Sequence, residues 1–79
     1  MFVVYILKST KDGKRYIGMT SDLERRISEH NKGLVKSTRN RKPLELIYTE
    51  EFLSKSEALS REKFFKSGQG REFLKSIGK

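Results

Sequence analysis

Residues 2–8 (FVVYILK) and 15–20 (RYIGMT) are two runs rich in β-branched and aromatic side chains, separated by Thr10-Lys11-Asp12-Gly13-Lys14. Runs of this kind read as strands. An Asp-Gly pair between them is a strong hairpin signal, because a two-residue turn requires positive φ and glycine takes it without strain. A hairpin at the start of the chain constrains all that follows, since later segments must cover its faces. With Asp12 and Gly13 at the centre of the turn, Lys11 faces Lys14, Ser9 faces Tyr16, Leu7 faces Gly18 and Tyr5 faces Thr20. Strand side chains alternate. Tyr5, Leu7, Tyr16 and Gly18 then share one face, with Gly18 leaving room beside two phenols for something to approach.

The rest of the chain supplies that cover. Ser21 to Glu24 reads as a capping box opening a helix to about Asn31, with Gly33 as its stop. Residues 34–42 (LVKSTRNRK) form a polar, basic loop that ends at Pro43, and residues 44–52 alternate as a third strand. Ser54 to Glu57 is a second capping box, opening a helix to about Ser67 that Gly68 and Gly70 break. Residues 71–77 form a short terminal helix packing Phe73, Leu74 and Ile77. The order ββαβαα predicts an α+β domain over residues 1–79: a three-stranded, mainly antiparallel sheet flanked by helices.

Composition narrows the class. A chain of 79 residues buries only about 60% of its unfolded surface, and 34% hydrophobic residues suffice for one core. No cysteine is present, which excludes a disulfide framework and a cysteine-based zinc site. The longest apolar run, Phe2 to Leu7, is too short to span a bilayer, and no signal-peptide pattern precedes it. A soluble, cytoplasmic protein, monomeric by default, is the expectation. The net charge of +8 points to a polyanionic partner, because neutralising phosphates releases condensed counterions. Lys36, Arg39, Arg41 and Lys42 in the basic loop are candidates for backbone phosphate contacts, which carry no base readout.

Helical spacing singles out three further polar residues. On the first helix Leu23, Ile27 and Leu34 define an apolar stripe. At about 100° per residue, His30 falls within roughly 20° of Leu23 and Arg26 within roughly 60°. Arg25 and Glu29 face water. On the second helix Ala58, Leu59 and Phe65 define the inner face, and Glu62 lies about 40° from Ala58, with Arg61 and Lys63 pointing elsewhere. A carboxylate in an apolar stripe is costly unless it is paired or holds a metal. Two readings of Glu62 stand side by side: an ion pair with Arg26 or Lys66, or a metal ligand. Lys66, near the Glu62 face, is a further candidate for DNA contact.

Taken in this order, these residues resemble the GIY-YIG nuclease superfamily, over nearly the whole chain and closest to its small stand-alone bacterial members. The second half of the family motif is intact at Tyr16-Ile17-Gly18. It continues through Met19-Thr20-Ser21-Asp22-Leu23-Glu24-Arg25-Arg26, placing the family's catalytic arginine at Arg26. His30 matches a histidine one turn later, and Glu62 matches the helix glutamate that binds a divalent metal. The first half reads Val3-Val4-Tyr5, so valine stands where the family has glycine. The asparagine that several members carry near the end of the module has no counterpart after Glu62.

The resemblance implies phosphodiester hydrolysis with one Mg²⁺ or Mn²⁺ on Glu62. Arg26 would hold the phosphate oxygens, and one of the two phenols, Tyr16 or Tyr5, would take a proton from the attacking water while the other orients it with His30. It further implies a DNA endonuclease used in repair or processing. Such an enzyme would select DNA structure rather than sequence, or be delivered by a protein partner, since no separate recognition domain is evident. A non-catalytic nucleic-acid-binding module on the same fold is the alternative. Composition alone would also permit a small protein bound to ribosomal RNA.

Overall fold

Strand β1 (Phe2–Ser9) lies in the middle of the sheet because it alone is apolar on both faces. A computed structural model describes all 79 residues of the chain. After β1 come β2 (Arg15–Thr20), α1 (Leu23–Asn31), β3 (Leu44–Phe52), α2 (Lys55–Phe65) and α3 (Gly68–Ser76). The order β2-β1-β3 is antiparallel throughout. The expected ββαβαα arrangement of an α+β fold is therefore the observed one.

The alternation of β1 splits the core in two. Val4 and Ile6 pack with Ala58, Phe65 and Leu74 from α2 and α3. Tyr5 and Leu7 pack with Leu44, and with Tyr16, Leu23 and Ile27 from β2 and α1. Burying one such apolar side chain contributes about 1.5–3 kcal/mol, so a small chain depends on both clusters. A register shift in the β1–β3 pairing between Ile6 and Leu7 leaves Ile47 as the extra residue.

The hairpin register differs from the expectation by two residues: Tyr5 pairs with Gly18, Leu7 with Tyr16 and Val3 with Thr20. The connection is wider than a two-residue turn. Ser9 is buried, and its Oγ accepts from the amides of Lys11 and Asp12 at 3.1 and 3.3 Å. The Gly13 amide returns to the Ser9 carbonyl at 2.9 Å, with Gly13 at φ 73°. A shift of two preserves which face each side chain occupies, so Tyr5 and Tyr16 still share one.

The helices also depart from expectation in places. The N-cap of α1 is Asp22, whose side chain accepts from the Arg25 amide at 3.2 Å, rather than Ser21. The helix stops at Asn31, so Leu34 never joins its apolar stripe and is 70% exposed. Asn31 instead bonds both the amide and the carbonyl of Leu44, at 2.8 and 3.1 Å, and so fixes where β3 starts. On α2, Leu59 is exposed, and Arg61 takes the inward position. It stands three residues after Ala58, with its guanidinium 4.5, 4.7 and 5.2 Å from the ring centroids of Phe64, Phe65 and Phe73. A planar cation can lie on aromatic faces if its charge is met; Glu50 meets it at 2.7 and 3.2 Å. Burial works to raise the Glu50 carboxyl, but Arg61 and the Tyr48 phenol hold it below the usual range. Gly68 and Gly70 do not lie between helices: α3 begins at Gly68, capped by Ser67. Ile77 follows its end and stays exposed.

Candidate active site

Adjacent strands bring two phenols together and α1 brings the cations. The Tyr5 and Tyr16 rings lie 6.4 Å apart. His30 packs edge-on to both, at 5.7 Å from Tyr5 and 4.8 Å from Tyr16. Tyr5 is 1% exposed and His30 is 0% exposed. A buried polar group needs a partner, and each has one: Tyr5 Oη lies 3.0 Å from His30 Nε2, and His30 Nδ1 lies 2.7 Å from Thr38 Oγ1. Thr38, itself fully buried, belongs to the basic loop and had no sequence signal of its own.

Burial raises the Tyr5 phenol above its ordinary value; the Arg26 guanidinium opposes this, while Tyr16 and Glu62 add to it. Tyr5 is therefore a neutral phenol at neutral pH. Burial, helped by the Arg26 charge, lowers His30, with Glu29 opposing, so the imidazole is neutral too. A neutral imidazole has one donor and one acceptor nitrogen, so its two bonds run in linked directions: either Tyr5 donates to Nε2 while Nδ1–H donates to Thr38, or Nε2–H donates to Tyr5 while Thr38 donates to Nδ1. Arg26 is pushed above its usual range by Tyr5 first and Glu29 second. Glu29, expected to face water, accepts from Arg26 Nη1 at 3.1 Å and orients it.

Gly18 does not leave a gap. A side chain there would collide with the Tyr5 phenol, which fills the space. Tyr16 is the more accessible phenol: it is half-buried and its hydroxyl makes no hydrogen bond within the chain. Its position on the edge strand also borders a groove of about 610 Å³, whose other walls, Ile17, Phe65 and Leu74, belong to the opposite face of the sheet.

Glu62 takes the ion-pair reading with Lys66 Nζ, at 2.8 Å, and its side chain is 19% exposed. It makes no hydrogen bond to either tyrosine, yet its charge is felt at Tyr5. Lys66 joins the two regions, lining both the groove beside Tyr16 and a second hollow that contains Glu62. Lys66 bonds one carboxylate oxygen, Oε2; the other makes no bond within the chain. No group of three or more His, Asp or Glu side chains converges anywhere. One carboxylate with a free oxygen fits a divalent ion that keeps most of its water, as Mg²⁺ does.

The basic loop is divided. Lys36, Arg39 and Lys42 are placed at its surface, with Lys36 and Lys42 exposed and Arg39 also exposed. Arg41 is not free for phosphate: it donates to the Arg15 carbonyl at 3.3 Å, faces Asp12 at 3.5 Å and accepts from Ser9 Oγ through its own carbonyl. It ties the loop to the hairpin turn.

Relatives share this framework. A UPF0213 protein of Staphylococcus saprophyticus is 45% identical over 75 residues, covering 94% of this chain and 90% of its own. A UPF0213 protein of Clostridium perfringens is 51% identical over 67 residues, covering 84% of this chain and 71% of its own. The solution NMR structure of a UPF0213 protein from Bacillus halodurans matches with a TM-score of 0.59 at 43% identity, over 99% of this chain and 86% of that one. The model of the GIY-YIG catalytic domain matches residues 1–74, a span that includes both tyrosines, Arg26, His30 and Glu62, and the chain belongs to that family of nucleases.

Proposed function

We propose that the protein is a metal-dependent DNA endonuclease in which Tyr16 is the proton acceptor. The observation that carries this is the unequal state of the two phenols. Tyr5 is buried, neutral and bonded to His30, whereas Tyr16 is half-buried on the edge strand with its hydroxyl unengaged. In hydrolysis the water oxygen bonds to phosphorus, the bond from phosphorus to the leaving sugar oxygen breaks, and Tyr16 Oη takes the water proton. A phenol accepts a proton only as its phenolate, and Arg26 stands near to stabilise that anion and to fork onto phosphate oxygens. Tyr5 and His30 hold the Tyr16 ring in place, and Glu29 holds Arg26. Glu62 would hold Mg²⁺ or Mn²⁺, which supplies charge neutralisation at the scissile phosphate and leaving oxygen.

The second reading, a binding module without catalysis, draws on the Lys66 contact that neutralises Glu62. Cleavage of branched, duplex and single-stranded DNA separates the two, with Mg²⁺ present or chelated, for wild type, Tyr16→Phe and Glu62→Ala. The nuclease reading expects metal-dependent cutting that falls by about 10²–10⁴-fold in Tyr16→Phe and is lost in Glu62→Ala, with binding retained in both. Binding without cutting on every substrate would sink it and favour the module.

A further inference from the structure

The groove beside Tyr16 has a composition that the basic loop lacks. Lys14, Arg15, Lys66 and Arg71 line it, and no carboxylate does. These cations come from the hairpin turn, the edge strand β2, the end of α2 and the helix α3, so the fold gathers them from four places. Two are already engaged: Lys66 pairs with Glu62, and Arg15 Nε donates to the Lys79 carbonyl at 3.1 Å. Lys14 and Arg71 have no ion-pair partner within the chain, although ten acidic residues are available in the sequence. Between the cations the lining is apolar, contributed by Ile17 and Leu74.

Like charges brought together without counter-charge repel one another, and an anion relieves that repulsion. A row of cations beside an apolar floor is the chemistry of a single nucleic-acid strand, with phosphates on the charges and sugar or base against the floor. The size agrees: about 610 Å³ lies within the roughly 300–1,000 Å³ range of pockets that take small ligands, far short of what the body of a duplex needs. We infer that this groove, which runs along the edge strand that carries Tyr16, holds a single nucleic-acid strand, with Lys14 and Arg71 as its free phosphate contacts. The inference rests on the nuclease reading of the tyrosine site and relocates the principal phosphate contacts from the loop at 34–42 to the groove beside β2.

Fluorescence anisotropy of labelled single-stranded and duplex DNA, with metal chelated and over a series of salt concentrations, tests it. The variant is Lys14→Ala with Arg71→Ala. Both residues are exposed, and an unchanged melting curve establishes that the variant folds. A charge-matched control, Lys8→Ala with Lys55→Ala, removes two cations that lie outside the groove. Single-strand binding is expected to weaken in the groove variant, with the salt slope falling by about 1.4, at about 0.7 for each lost single-strand phosphate contact. The control keeps the wild-type slope. An unchanged slope in the groove variant, an equal fall in the control, or a preference for duplex that the groove variant leaves intact would each overturn the inference. Because no cutting is needed for this measurement, a wild type that binds as described but never cleaves refutes the nuclease reading alone.

Discussion

At the scale of single residues, Thr38 decides more than its position in a basic loop suggests. Its hydroxyl is the only partner of His30 Nδ1, and that bond is coupled through the ring to the one between Nε2 and Tyr5. Thr38→Val leaves a buried ring nitrogen unsatisfied, which costs about 1–3 kcal/mol, and frees the ring to change tautomer. The variant is expected to melt lower and to cleave more slowly, and Thr38→Ser to restore both. Equal activity in Thr38→Val and wild type would remove Thr38 from the site. The contrast with Arg26 and His30 explains what was legible. Those two sit on a helix, whose period of about 3.6 residues places them beside Leu23 from sequence position alone. Thr38 lies in a loop, where no period relates sequence position to direction. Glu29 was misplaced because Arg26 reaches across one turn to bond it.

At the scale of elements, close approach explains where the glycines matter. A methyl group on Gly70 would fall on the Phe64 carbonyl and the Phe65 Cα, backbone atoms that cannot step aside, whereas nothing lies within 4 Å of one on Gly68. Gly70→Ala is therefore expected to cost about 1–3 kcal/mol. Gly68→Ala is expected to be neutral or slightly stabilising, because alanine loses less backbone freedom on folding. In a domain of this size each kcal/mol moves Tm by about 4–8 °C, so thermal melts distinguish the two. Equal melting of both variants would mean that α2 and α3 are not packed this closely. Strand and helix identities were readable from alternation and capping residues. The hairpin register was not, because the Asp-Gly pair also occurs in longer connections, and Ser9 makes this one longer through bonds to its side chain. The inward face of α2 was missed for a related reason: Arg61 reads as polar, yet its length and planar head let it cover three phenyl rings while Glu50 meets its charge.

At the scale of the whole molecule, stability is linked to the neutral state of His30, where β1, α1 and the basic loop meet. Its folded pKa is lowered by burial first and by Arg26 second, so on acidification the unfolded chain takes up this proton before the folded one does. The sign follows. The stabilisation is fully present above about 6.5, the unfolded value, and is lost progressively as pH falls from there through the folded value. The loss cannot exceed about 1.4 kcal/mol per pH unit for one proton. Melting temperatures measured between about pH 7 and about pH 5 are expected to fall in the wild type and to fall less in His30→Gln. A parallel fall in both would assign the acid sensitivity to other groups. No helix of the chain is long and apolar enough to cross a membrane, in keeping with the short apolar runs of the sequence.

The division between what sequence and tertiary structure each decide has one physical basis. Alternation, helical period and capping are local, so the residues alone determined the element order, the shared face of Tyr5 and Tyr16, and the more inward placement of Arg26 than of Arg25 on α1. Contacts between segments distant along the chain depend on how elements dock. Only the folded molecule decided that Tyr5 fills the space beside Gly18, that Glu62 pairs with Lys66, and that Thr38 closes the hydrogen-bond chain behind His30. It likewise gathered Lys14, Arg15, Lys66 and Arg71 along one groove, although they lie far apart in the sequence.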